Sequence, residues 1–85
     1  MSTMYDSKEQ ALAMGCYYAG VGKEALEGIA PRQGQISGVL GGEPQEAEFY
    51  TIKNKNGEDA TFAVSRFRSG FDLWLVAANG MMMRT

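Results

Sequence analysis

The sequence predicts an α+β fold: an N-terminal helix, with a second short helix after it, packed on a three- to four-stranded antiparallel β-meander. Three observations carry this. Ser7-Lys8-Glu9-Gln10 is a capping box, with Ser7 as N-cap and Gln10 three residues on, and an apolar stripe at helical spacing follows it. Asn56-Gly57 sits between two β-prone runs, the strongest short-range hairpin signal. Ser69-Gly70 marks a second tight reversal before the apolar run 71–78. Helices first and hairpins afterwards, with no alternation, is the α+β order.

The first helix is expected from Lys8 to about Ala19. Leu12, Cys16 and Ala19 form one stripe, widened by Ala11, Met14 and Tyr18. Gly20 and Gly22 interrupt it. A second helix, Lys23 to Ile29, puts Ala25, Leu26 and Ile29 on one side, and Pro31 stops it. Residues 32–46 are rich in Gly and Gln around an apolar island, Ile36 to Leu40, which predicts a strand at 35–40 and then a loop. A two-residue turn at 56–57 sets Phe49 opposite Val64, Tyr50 opposite Ala63 and Thr51 opposite Phe62. A turn at 69–70 sets Val64 opposite Leu75, Ala63 opposite Val76 and Ser65 opposite Trp74. Because side chains alternate along a strand, these turns divide the sheet. Phe49, Phe62, Val64, Leu73 and Leu75 make the expected seat for the helix. Tyr50, Ile52, Thr61, Ser65, Phe67, Trp74 and Val76 make the other face.

At 85 residues the chain is expected to be one small domain with a modest core. Its 45% hydrophobic content and small net charge favour folding over disorder. One cysteine and no histidine exclude an intrachain disulfide and a Cys/His zinc site, and no metal or cofactor is expected. The lone thiol suits a reducing cytoplasm. The sequence carries neither a membrane-length apolar run nor the basic, apolar start of a signal peptide. Charge is uneven: residues 1–50 hold seven acidic against three basic side chains, residues 51–85 five basic against three acidic. That balance is too weak for a dedicated duplex binder, whose affinity rests on phosphate neutralisation.

Gly20-Val21-Gly22-Lys23 resembles the tail of a phosphate-binding loop, but the motif fails. Tyr17 occupies the position of its first glycine and Glu24 that of its hydroxyl residue, where a carboxylate repels phosphate. A helix–helix corner is the expected role. Glu43, Glu46 and Glu48, and Glu58 with Asp59, read as solvated acids rather than acid–base pairs. Cys16 lies on the inner helix stripe with no histidine to activate it. No enzymatic activity is expected.

The second sheet face is the stronger signal. Tyr50, Ile52, Phe67, Trp74 and Val76 form an apolar, aromatic patch unless the second helix, the 35–40 segment or the C-terminal tail covers them. Such patches mark partners, and Tyr and Trp are enriched at hot spots. Lys53, Lys55, Arg66 and Arg68 would steer an acidic surface. Met81, Met82 and Met83 either supply adaptable contacts or pack as one more strand. The leading expectation is a non-enzymatic protein-binding module acting through Tyr50, Ile52, Lys53, Lys55, Arg66, Phe67, Arg68 and Trp74. Its partner is a protein, free or within a nucleoprotein complex; no membrane is involved. In size, composition and α+β layout alone the chain resembles small phage and mobile-element inhibitors of host machinery, such as anti-CRISPR proteins. That implies a host-cell cytoplasm and no residue roles. One competing class is a nucleic-acid-binding accessory protein using the basic hairpin with Tyr50 and Phe67 as stacking groups. No RNP-type sequence is present and Glu58, Asp59 and Asp72 dilute the charge, so direct nucleic-acid binding is not expected. A third class is a homodimer or larger assembly joined through the aromatic face or the methionines.

Overall fold

The computed structural model describes residues 4–36, 44–67 and 69–85, with Phe67 described by its backbone alone. Residues 37–40 of the expected strand, Glu43 and Arg68 lie outside the described residues. The architecture is α+β: one N-terminal helix on a five-stranded antiparallel sheet.

Helix α1 spans Lys8–Ala19. Ser7 caps it as expected, its Oγ accepting from the Gln10 N–H at 3.2 Å, while Gln10 Oε1 reaches back to the Asp6 N–H at 3.1 Å. Gly20, at φ 79°, ends the helix in a left-handed conformation. The Gly20 N–H donates to Tyr17 C=O and the Val21 N–H to Cys16 C=O, the paired bonds of a Schellman cap. The expected second helix over 23–29 shrinks to a single 3₁₀ turn, Lys23–Leu26. Glu27 is already extended, and Gly28 turns the chain at φ 75°.

The strands are β1 (Arg32–Ile36), β2 (Gln45–Lys53), β3 (Asp59–Phe67), β4 (Gly70–Val76) and β5 (Met82–Arg84), in the order β1-β2-β3-β4-β5. The described part of the strand expected at 35–40, Gln35 and Ile36, lies in β1, which begins earlier, at Arg32, and the methionines contribute one more strand.

The β2–β3 register differs from expectation by one residue. Phe49 lies opposite Ala63 and Tyr50 opposite Phe62. The cause is the turn. Asn54 Oδ1 accepts the N–H groups of Asn56 (2.9 Å) and Glu58 (3.0 Å), and the Gly57 N–H donates to Asn54 C=O. The loop is therefore three residues, 55–57, closed by Gly57 at φ 82° as a bulge, not a two-residue turn. A slip of one residue reverses every side chain of β2 relative to β3. The β3–β4 register also differs, by two: Val64 faces Leu73 and Ala63 faces Trp74, with Phe67 opposite Gly70. An even slip keeps the faces.

The inner face therefore carries Tyr50 and Ile52 with Phe62, Val64 and Leu73, all buried under α1 with Ala11 and Cys16. Tyr50 and Phe62 stack with centroids 5.5 Å apart. The outer face carries Ile36, Ala47, Ala63 and Trp74, with Phe49 and Met82 packed against them.

Candidate interaction surface

The expected aromatic patch is corrected by this register. Tyr50 and Ile52 are 6% and 2% exposed beneath the helix, and Trp74 is 7% exposed on the opposite face. They do not share a surface. Trp74 donates its indole N–H to Ser65 Oγ at 3.2 Å, and the Arg84 guanidinium lies 5.8 Å from its ring centroid while bonding Asp72 Oδ2 at 2.8 Å.

The described basic residues, Lys53, Lys55 and Arg66, are not assembled either. Lys53 pairs with Asp59 at 2.7 Å. The Lys55 N–H donates to Ala19 C=O at 3.1 Å and its aliphatic stem lies against Gly20, so the hairpin tip docks on the end of α1. Arg66 is exposed at the far end of β3, 5.8 Å from the Phe71 ring centroid. Lys53 pairs at the first residue of β3 and Arg66 lies seven positions along, a span of roughly 23 Å at strand rise. The Phe67 side chain and Arg68 lie outside the described residues.

Beside Arg66, a cleft of about 240 Å³ is lined by Lys8, Gln33, Glu46, Glu48 and Phe71. Glu48 has three donors there. It pairs with Lys8, accepts from Tyr50 Oη at 3.1 Å through Oε1, and from Gln33 Nε2 at 3.3 Å through Oε2. The hydrogen bond from Lys8 holds its carboxyl below the ordinary carboxylate range, and the same bond raises Lys8. Burial, then the bond to Glu48, pushes the Tyr50 phenol up. A carboxylate held ionised by three donors ties α1 to β2 rather than trading protons. Burial likewise raises the Cys16 thiol, away from the thiolate a nucleophile needs. Among the described residues no group of three or more His, Cys, Asp or Glu side chains could hold a metal ion. No described helix is long and apolar enough to cross a membrane.

The exposed apolar surface lies elsewhere. Tyr17 and Tyr18 close the last turn of α1, 70% and 50% exposed, their rings in edge contact with centroids 5.9 Å apart. Gly15 and Cys16 face the sheet just before them, and at 100° per residue two adjacent tyrosines cannot follow them inward. Tyr18, expected on the inner stripe, stands on its flank. It lines one cleft with Phe62, Leu75 and Val76. Leu75 and Val76 line the next, of about 350 Å³, with Met81, Met82 and Met83. Met81 and Met83 are 69% and 68% exposed. Helix end, β4 and β5 thus form one mainly apolar strip, with Asp59 at the rim of the first cleft and no charged residue lining the second. Comparison of the chain with protein-family models, curated proteins and solved structures finds no match.

Proposed function

We propose that this protein works by binding another protein, and that it docks through the strip formed by Tyr17, Tyr18, Leu75, Met81 and Met83. The observation that carries this reading is that the exposed side chains of Tyr17 and Tyr18 at the helix end and of Met81 and Met83 at the last hairpin are joined by two clefts that half-buried Leu75 and Val76 line. Contiguous patches of this kind mark interaction sites, and methionine adapts its shape to a partner. Tyr50 and Trp74, first expected to make contact, are spent on the two cores. The ionisable cluster around Glu48 supports no acid–base role, so the reading is a binding one and not an enzymatic one. Like the phage and mobile-element inhibitors it resembles in size and layout, such a protein would act by occupying a partner's surface.

Affinity capture from an extract of the source cells tests this, with wild type compared against the double variant Tyr18→Ser, Met83→Ser. Both positions are half or more exposed, so the far-UV spectrum should be unchanged while the captured proteins fall at least tenfold. Identical capture by both chains overturns the assignment of the strip.

A further inference from the structure

We infer that the strip is completed by a second copy of this chain, the two β5 strands pairing antiparallel about Met82. This deepens the docking reading and rests on it.

The main-chain bonds of the last hairpin set the geometry. The Ala77 N–H donates to Met81 C=O at 2.8 Å and the Thr85 N–H to Leu73 C=O at 3.0 Å. Bonded pairs alternate in an antiparallel ladder, so Met81 and Met83 turn their main-chain groups toward β4. Met82, opposite Val76, turns its N–H and C=O outward. Among the described residues β5 is the last strand of the sheet and nothing pairs with that side.

A two-fold axis through Met82 lets the two Met82 residues exchange both N–H···O=C bonds. The same axis sets Met81 of each copy opposite Met83 of the other in non-bonded pairs, where side chains approach most closely. These are the two exposed methionines, and they project on the helix side, next to Leu75 and the Tyr18 flank. The contact is self-complementary and closes at two copies.

The chemistry of the two edges points the same way. Natural edges are blunted by charge or proline. Pro31 precedes β1 and exposed Arg32 opens it. The β5 edge holds Met82 and Met83, with Met81 just before it, and its arginine, Arg84, is turned onto Asp72. No described charge opposes a second copy there. Four large side chains, each half or more exposed, offer on the order of 400 Å² per copy, roughly 800 Å² for the pair. Strand pairing and Leu75 add to this, toward the lower limit of about 1,200 Å² for specific complexes. The dimer is therefore reversible and its population rises with concentration.

Sedimentation velocity over a concentration series tests the inference, with hydrogen exchange at the Met82 amide as second readout. The mass should climb from the 9.3 kDa monomer toward twice that value, and Met82 exchange should slow at least tenfold as it does. Met82→Pro removes the outward donor without touching a β4–β5 bond, and Met83→Lys keeps the backbone but charges the seam. Each should shift dimerisation tenfold or more, with circular dichroism reporting the fold. A chain that stays monomeric with Met82 exchanging freely overturns the second copy. So does a dimer that both variants leave intact. In the first case, loss of capture by the Tyr18→Ser, Met83→Ser variant keeps the strip as a docking surface for a different protein. Dimerisation with unaltered capture overturns the strip as a docking surface for a different protein and keeps the second copy.

Discussion

Gly15 shows how a single position can matter for what it lacks. It is buried in mid-helix, and a Cβ there would sit 2.5 Å from the Phe62 ring. That ring is backed by Tyr50 and cannot retreat. Gly15→Ala gains about 1 kcal/mol of helix propensity, but overpacking costs about 1–3 kcal/mol. The expected outcome is net destabilisation of roughly 1 kcal/mol, read as a lower urea midpoint with an unchanged slope. Nothing in the sequence singles this residue out, because the approach of Phe62 depends on a register that no local pattern contains. Tyr17-Tyr18 is the opposite case. Leu12, Cys16 and Ala19 set the inner stripe, and at 100° per residue Tyr17 falls on the far side of it, so one exposed tyrosine was legible from spacing.

At the level of elements, the helix was readable to its ends because its caps are made by neighbours in sequence: Ser7, Gln10 and Gly20. The hairpins were readable as hairpins but not in register. Asn56-Gly57 fits a two-residue loop and a three-residue one equally; the decision lies with the Asn54 side chain, which accepts two loop amides. The hairpin at 78–80 follows the same plan. The Gly80 N–H donates to Ala77 C=O, Asn79 Oδ1 accepts from the Met81 N–H, and Gly80 stands at φ 89°. Gly57→Ala forces a Cβ into the left-handed region at φ 82° with open space around it. The cost is backbone strain alone, about 1–2 kcal/mol. Thermal unfolding should report a loss of that size, whereas Gly57→Asn, which tolerates this conformation, should lose less.

Across the whole molecule, the α+β class was legible because element order needs no register, whereas the candidate surface was not. Which of Tyr50 and Trp74 faces where depends on loop length, and the strip joins a helix end to a hairpin far apart in the chain. The ion pair that holds helix to sheet has a global signature. Glu48 titrates below its unfolded value, so its contribution is present above the unfolded carboxylate pKa and is lost as pH falls through the folded one. Lys8 titrates above its ordinary value, so its share is complete below that value and is lost as pH rises through the raised one. The Lys8 side chain is 43% exposed, so screening keeps both effects small. Melting temperature should decline on the acid side, and Glu48→Gln should flatten that decline; an unchanged acid limb in the variant would remove Glu48 as its source. The two Asn-Gly loops also have a consequence for how this chain can change. Both span an odd number of residues, so inserting or deleting one there would turn the adjoining strand inside out, sending Tyr50 and Ile52 to the face away from the helix or Met83 into the outer layer. Only changes in steps of two preserve the sidedness of the sheet, which makes the parity of these loops a more severe constraint than the identity of the residues in them.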